Sequence, residues 1–163
     1  MVPVKRRSFE DMNCSVAQAL EIVGEWWTLL ILRDAFVGIR RFDDFQARLG
    51  ISRNVLTTRL DALVDHGILQ RVQYSERPPR DEYRLTTKGR GLWTVLHALR
   101  EWGDEWVVGT DKASVVLVHD DHRCQTELHC SECGDKLGLR DVRLEAGPGA
   151  DATTVLAGRD QSR

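Results

Sequence analysis

The chain has 163 residues, 42% of them hydrophobic, and a formal net charge of −2. This length and hydrophobic content predict one domain with a buried core, and leave room for a small appendage. The N-terminus lacks the apolar run of a signal peptide, and no stretch is long enough to span a membrane. We therefore expect a cytoplasmic protein without a membrane partner, whose four cysteines are thiols or metal ligands rather than structural disulfides.

The small net charge conceals an uneven distribution. Residues 1–103 contain 16 lysines and arginines against 13 acidic residues, whereas residues 104–163 contain 7 against 12. Residues 40–60 have five arginines and two aspartates, and residues 71–90 have six basic and three acidic residues. The total charge alone argues against nucleic-acid binding, but positive charge concentrated in two segments favours it.

Three helices are predicted in the first third of the chain. Residues 1–13 predict a flexible arm, and a helix then runs from Cys14 to a stop at Gly24. Residues 25–36 are so rich in Trp, Leu and Ile that we expect the buried central helix here. A short third helix, Phe42–Leu49, follows a glycine-containing turn.

A fourth helix is predicted between Ser52, which can cap its first amides, and Gly67, which can adopt the left-handed conformation that ends helices. Its apolar residues fall on one stripe that should face a core: Leu56, Leu60, Leu63 and Val64. The opposite arc is small and polar, with an arginine on each margin: Asn54, Val55, Thr58 and Asp61, flanked by Arg53 and Arg59. Two short helices joined by a tight turn, the second with a free polar face, predict a helix-turn-helix.

A β-hairpin is predicted after the fourth helix. Residues 68–74 and 82–85 are β-prone, and the loop between them, residues 75–81, contains two prolines together with Arg77 and Arg80. Winged helix proteins bind DNA with such a helix and hairpin, although a surface helix beside a solvated loop is the alternative. The predicted fold class is therefore mainly α with a small β-hairpin wing, a winged helix-turn-helix, plus a short Cys/His-rich C-terminal appendage.

A long helix is predicted from Thr86 or Thr87 to about Val108. Its large apolar side chains exceed what one small domain can cover: Leu92, Val95, Leu96, Leu99, Trp102 and Trp106. We expect this helix to pack on its copy in a homodimer, the alternative being that it folds back on its own domain. A two-fold dimer would present two recognition helices to successive major grooves of a palindromic site on double-stranded DNA.

The C-terminal part changes character. The unit Cys130-Ser131-Glu132-Cys133-Gly134 has the spacing with which two thiolates reach one ion. The second pair would be Cys124 with His122 or His119, although Cys124 is only six positions before Cys130. The predicted structural zinc ligands are therefore His122, Cys124, Cys130 and Cys133, and a redox dithiol or an inert tail are the alternatives. Residues 145–163 are rich in Gly, Ala, Asp, Thr and Ser, and predict disorder.

Several short motifs, in order and spacing, resemble the HxlR family of bacterial transcriptional regulators. They are Cys14 before the first helix, Arg41-Phe42 at the third, L-G-I-S-R-N-V-L-T-T-R-L from Leu49, H-G-I-L from His66, and P-P-R-D-E-Y-R-L-T-T-K-G-R from Pro78. The resemblance covers residues 14–108 and implies a MarR-like winged helix, a homodimer, and repression or activation of nearby genes. It also implies DNA-binding positions: Ser52, Arg53, Asn54, Val55, Thr57, Thr58 and Arg59 on the recognition helix, Arg77, Pro78, Pro79 and Arg80 on the wing, and Arg41 at the entrance of the helix-turn-helix.

Some members of that family sense electrophiles or oxidants through a cysteine near the first helix, where Cys14 lies. A thiol at a helix start is near the positive end of the helix dipole, and Lys5, Arg6 and Arg7 would add positive charge that favours the reactive thiolate. The alternative is that Cys14 fills a gap beneath the dimer helices.

The sequence therefore predicts four segments: an arm (1–13), a winged helix domain for DNA binding and dimerisation (14–108), a Cys/His-containing tail (109–144) and a disordered end (145–163). We expect a dimeric, sequence-specific DNA-binding regulator, a repressor, with a small-molecule or oxidant inducer, and not an enzyme. A small redox protein using Cys130 and Cys133, or a winged helix used only for protein contacts, are the alternative functions.

Overall fold

The elements follow one another in the predicted order in the computed structural model, which describes residues 8–154. The helices before the hairpin are α1 (Ser15–Val23), α2 (Trp26–Phe36), α3 (Phe42–Leu49) and α4 (Arg53–Asp65). The hairpin strands β1 (Leu69–Glu76) and β2 (Pro79–Leu85) lead to α5 (Thr87–Arg90) and α6 (Trp93–Gly103), which continues into a π-helical segment, Asp104–Val108. A 3-10 turn, Thr110–Lys112, precedes a second hairpin of β3 (Leu117–His119) and β4 (His122–Cys124).

The described residues divide into two compact units. One consists of residues 19–113 and contains α2 to α6 with the β1–β2 hairpin, so that it is mainly α with a small antiparallel wing, as predicted. The other consists of residues 8–18 and 114–154 and contains the β3–β4 hairpin and several turns. Within residues 8–154 no single helix is long and apolar enough to cross a membrane; α1 and α2 reach that length only as a pair bent by 78°.

The core of the first unit is built from the end of α1, one face each of α2, α3 and α4, and the base of the wing. Ile31 and Leu32 of α2, Phe45 of α3 and Leu56 of α4 have no exposed surface. The remaining members of the cluster are Val23, Ile51, Leu60, Leu63, Ile68, Leu69 and Tyr83. Burying a large apolar side chain contributes roughly 1.5–3 kcal/mol, so this cluster fixes how the short helices are rotated.

The core also contains a charged group that the sequence prediction missed. Asp34 of α2 is completely buried, and its carboxylate pairs with Arg33 at 2.9 Å and with Arg48 of α3 at 3.3 Å. A buried carboxylate is costly unless it is paired, so this contact ties α3 to α2. The predicted burial of α2 was wrong at Trp26, which is 85% exposed.

The end of α4 is joined to the base of the wing and to α5. Gly67 has a φ of 66°, and the amide of Ile68 donates to the carbonyl of Leu63 at 2.9 Å, which closes the helix. Thr86 caps α5 by accepting from the amide of Gly89 at 3.0 Å, while its hydroxyl donates to the carbonyl of Gly67 at 2.6 Å. A Cβ on Gly89 would lie 2.2 Å from the carbonyl oxygen of Ile68, so this junction requires glycine.

Two element boundaries differ from those predicted. The strands extend to Glu76 and Pro79, so the wing ends in the tight turn at Arg77-Pro78 rather than in a loop over residues 75–81. The long helix is interrupted between α5 and α6, at Gly91 and Leu92. The disorder expected from residue 145 stays a prediction; residues 147–154 form hydrogen-bonded turns in the structure. Residues 1–7 of the predicted arm and 155–163 of the predicted disordered end lie outside the described residues.

The buried carboxylate makes Arg48 important for stability. Replacing Arg48 with Ala should lower the free energy of unfolding by about 1–3 kcal/mol, because Asp34 stays buried with one cationic partner fewer. Arg53→Ala is the matched control: its pair with Asp43, at 3.4 Å, is exposed on both sides and should contribute less than about 1 kcal/mol. Urea denaturation measures both values, and equal losses would contradict the structural role of Asp34.

Candidate nucleic-acid interface

The first half of α4 exposes a polar arc. Ser52 caps the helix by accepting a hydrogen bond from the amide of Val55 at 3.3 Å, as predicted. The exposed side chains are those of Ser52, Arg53, Asn54, Val55, Thr57 and Thr58. The Thr58 hydroxyl donates to the carbonyl of Asn54 at 2.9 Å, which leaves its oxygen able to accept. Because the leucine stripe of α4 is buried, this arc of small groups is the face of α4 that an outside partner can reach.

The two arginines on the margins of α4 are held by the protein itself. The guanidinium of Arg53 lies 4.7 Å from the ring centroid of Phe42 and pairs with Asp43 at 3.4 Å, but the side chain remains largely exposed. Arg59 is half-buried and pairs with Glu25 at 3.7 Å. The sequence placed both arginines at the DNA surface. Arg53 is exposed on that face of α4, whereas the charge of Arg59 is paired with Glu25, the residue that precedes α2.

The arginines at the tip of the wing, unlike the two on the margins of α4, are not paired with a carboxylate within residues 8–154. Arg77 and Pro78 form its turn, Arg80 follows on β2, and all three are exposed. Within residues 8–154 neither Arg77 nor Arg80 makes an ion pair. Two other arginines of the hairpin are neutralised, since Arg84 pairs with Glu82 at 2.5 Å and Arg71 pairs with Asp61. Free positive charge on the hairpin therefore lies toward its tip.

Arg41, at the entrance of α3, is exposed and is linked to the wing. Its backbone forms an antiparallel bridge with Glu82, and its guanidinium lies 4.8 Å from the ring centroid of Tyr74. Tyr74 was not among the predicted site residues. A tyrosine on a strand gives no sequence signal of its own, because the contact depends on how α3 and the hairpin meet.

The predicted dimer helix carries an exposed apolar face. Val95, Leu99, Trp102 and Trp106 are between 48% and 69% exposed. Apolar side chains this large and this close together on a surface are typical of an interaction site. Two predicted interface residues behave differently: Leu96 is half-buried, and Leu92 is half-buried and packs against the core of its own unit.

Cys14 precedes α1 and is exposed. Its carbonyl accepts the first helical hydrogen bond, from Gln18 at 3.0 Å. An open cavity of about 570 Å³ surrounds it, lined by Glu10, Asp11, Met12, Asn13, Cys14, Ser15 and Gln18. Two carboxylates thus line the space around the thiol, while Lys5, Arg6 and Arg7, expected to favour the thiolate, lie outside the described residues.

The cysteine pair of the second unit forms a tight turn. The amide of Gly134 donates to the carbonyl of Cys130 at 2.9 Å, and the amide of Cys130 donates to the carbonyl of Asp135 at 2.8 Å. The backbone amides of Cys133 and Glu132, followed by the Cys133 side chain, lower the pKa of the Cys130 thiol below its ordinary value.

The predicted zinc ligands are not gathered into one site. Across residues 8–154 no three His, Cys, Asp or Glu side chains converge in a way that could hold a metal ion. Cys124 and His122 lie on β4, whereas the ring of His129 bonds to the Gly134 carbonyl at 2.9 Å. The donors present therefore do not fit a closed tetrahedral zinc site. Zinc stays a prediction, which elemental analysis of the purified protein would reject if it found far less than one zinc per chain.

A helix-turn-helix packed on a buried core, an exposed polar arc on its second helix and a hairpin with arginines at the tip that are unpaired within residues 8–154 are the features of a winged helix protein of the DNA-binding regulator class. The sequence model of the HxlR-like helix-turn-helix family matches residues 22–111, and the chain belongs to this family. The resemblance in the motifs is thereby confirmed.

Known proteins agree with this assignment. The chain is 46% identical over 142 residues to Rv3095 of Mycobacterium tuberculosis, described as an uncharacterized HTH-type transcriptional regulator; the match covers 85% of this chain and 89% of that protein. The crystal structure of PA1607, a candidate transcription factor, is similar with a TM-score of 0.76 and 37% identity, over 86% of this chain and all of that one. The redox regulator HypR in its reduced form is similar with a TM-score of 0.54 and 31% identity, over 56% of this chain and 92% of that one.

Proposed function

We propose that this protein is a homodimeric, sequence-specific regulator that places α4 in the major groove of DNA and the wing on the flanking backbone. The observation that carries the proposal is the polar arc of α4, which stays exposed while Leu56, Leu60 and Leu63 on the same helix are buried. The exposed, unneutralised guanidinium groups of Arg77 and Arg80 on the neighbouring hairpin support it, because such groups bind phosphates.

The side chains of the arc suit the reading of base edges. Asn54 can donate to N7 and accept from N6 of adenine, and Arg53 can donate to O6 and N7 of guanine. Val55 is 37% exposed, and one of its methyl groups can contact the methyl group of thymine. In this proposal Arg77 and Arg80 contact the backbone and contribute affinity rather than sequence preference.

The homodimer is supported by the exposed face of α6. Burying this face against a second copy would remove Leu99, Trp102 and Trp106 from water, and a two-fold axis would direct both α4 helices to the same side of a DNA duplex. The resulting operator is a palindrome whose half-sites are about one helical turn apart. Occupying such a site at a promoter would block transcription, so we assign the protein the role of repressor, acting in the cytoplasm where bacterial DNA is found.

Selection of bound sequences from a random DNA pool tests this function directly. The expected result is enrichment of a palindromic motif by the full chain. A winged helix used only for protein contacts would enrich nothing, and a redox enzyme based on Cys130 and Cys133 would instead turn over a disulfide substrate.

Substitutions should separate affinity from specificity. Arg77→Ala or Arg80→Ala should weaken binding to specific and random DNA about equally and lower the salt dependence by roughly one phosphate contact. Asn54→Ala should instead reduce the preference for the selected sequence by about 1–3 kcal/mol. Fluorescence anisotropy over a salt series measures both effects. Arg143→Ala is the control, since Arg143 is exposed in the second unit and pairs with Glu145.

If Asn54→Ala lowered affinity for selected and random DNA by the same factor, its assignment to base reading would be wrong.

The dimer interface is tested by introducing charge on α6. The double variant Leu99→Glu with Trp102→Glu should weaken dimerisation by roughly 30-fold or more, because two carboxylates would be buried in an apolar contact. Val37→Glu, at a residue that is 67% exposed beyond the end of α2, should leave dimerisation unchanged. Sedimentation velocity distinguishes the two results, and a double variant that stays dimeric would exclude this face.

We also propose that oxidants or electrophiles release the protein from DNA through Cys14. The proposal is supported by the exposure of the thiol on an open cavity and by the similarity to the redox regulator HypR. In a gel-shift assay, treatment with diamide or a quinone should abolish DNA binding by the wild-type chain but not by Cys14→Ser. Release of Cys14→Ser by the same treatment would show that another residue responds.

A further inference from the structure

The entrance of the helix-turn-helix and the wing are joined by backbone contacts. The amide of Tyr83 on β2 donates to the carbonyl of Arg40 at 2.8 Å, and Arg41 forms an antiparallel bridge with Glu82. Two adjacent residues that precede α3 are thus fixed against the hairpin. The backbone from which the Arg41 side chain projects is therefore set by β2 and not by a free turn.

The hairpin departs from regular pairing at one residue. Gln73 pairs with Asp81 and Ser75 pairs with Arg80, so the register shifts at Tyr74. Such a bulge redirects a side chain relative to its neighbours on the strand. The side chain of Gln73 donates to the carbonyl of Ser75 at 3.1 Å, and the hydroxyl of Ser75 donates to the carbonyl of Pro78 at 3.0 Å, which hold the irregular segment in place.

The shifted Tyr74 supports Arg41 and leaves its charge available. Tyr74 is 40% exposed, and its ring centroid lies 4.8 Å from the guanidinium carbon of Arg41. Within residues 8–154 the Arg41 guanidinium makes no ion pair. Arg71, on the same strand as Tyr74, also lies against an aromatic ring, 5.9 Å from the centroid of Tyr83. Unlike Arg41, it is hydrogen-bonded to a carboxylate, that of Asp61. Of these two stacked arginines, Arg41 is the one whose charge is not neutralised.

We propose that Arg41 and Tyr74 form a preorganised phosphate-binding site between the helix-turn-helix and the wing. With its guanidinium carbon over the ring of Tyr74, Arg41 can point N–H groups away from the ring, in the fork that matches two phosphate oxygens. Tyr74 is then a positioning residue: the ring holds Arg41 in place before DNA binds, so less side-chain freedom is lost on binding. The site takes a backbone phosphate and carries no base preference. The inference rests on the proposed function.

The test separates the ring of Tyr74 from its hydroxyl. Tyr74→Phe keeps the ring and should bind DNA with nearly wild-type affinity, whereas Tyr74→Leu should weaken binding about three- to tenfold on selected and random DNA alike. In an Arg41→Ala background, Tyr74→Leu should cause no further loss, because the side chain through which Tyr74 acts is gone. Circular dichroism confirms folding, and Tyr74→Met replaces Tyr74→Leu if that variant does not fold.

Three results would overturn the inference. If Tyr74→Phe loses as much affinity as Tyr74→Leu, the hydroxyl contacts DNA and stacking is not the cause. If the losses from Arg41→Ala and Tyr74→Leu simply add, the two side chains act independently. If Tyr74→Leu binds like the wild type, the ring does not position Arg41. Failure of the wild-type chain to bind any DNA is a separate outcome, which would reject the proposed function and this site with it.

Discussion

The burial of three leucines on α4 is the constraint on which the rest of the account depends. Leu56, Leu60 and Leu63 have at most 1% of their surface exposed. Exposing any one of them would cost roughly 1.5–3 kcal/mol, so α4 cannot rotate about its axis without losing much of the stability of a small domain. The polar start of α4 is therefore exposed as a consequence of the core. The small polar side chains at the start of α4 suit contact with DNA, whereas their exposure follows from the burial of the leucines on the opposite face.

The arginines divide into two groups that a count of charges cannot distinguish. Arg48 pairs with a carboxylate that is fully buried, and Arg59 is half-buried beside Glu25, so these charges hold the helices together. Arg77 and Arg80 are exposed, and in the part of the chain that the structure describes they make no ion pair. The two segments rich in positive charge, residues 40–60 and 71–90, contain arginines of both groups. Only a subset of that charge is left without an ion-pair partner among residues 8–154, and it includes Arg77 and Arg80 on the wing and Arg41 beside it.

Local signals in the sequence predicted the helix-turn-helix well, because each depends on neighbouring residues. The spacing of apolar residues gave the bounds of α3, and the cap at Ser52 gave the start of α4. The errors arose where distant residues decide. Burial of Asp34 depends on Arg48, and the ring against the Arg41 guanidinium belongs to a residue 33 positions later in the chain. The zinc site expected from the ligand spacing of the Cys/His tail stays a prediction, since no three such donors converge within residues 8–154.

The claim that α4 and the wing face DNA in duplicate is tested most directly by a hydroxyl-radical footprint on a selected DNA sequence. Two protected backbone segments, related by a two-fold axis and centred about one helical turn apart, are the result that this account predicts. Protection should extend on the outer side of each segment, where the wings lie. A single protected segment, or protection without two-fold symmetry, would contradict the account.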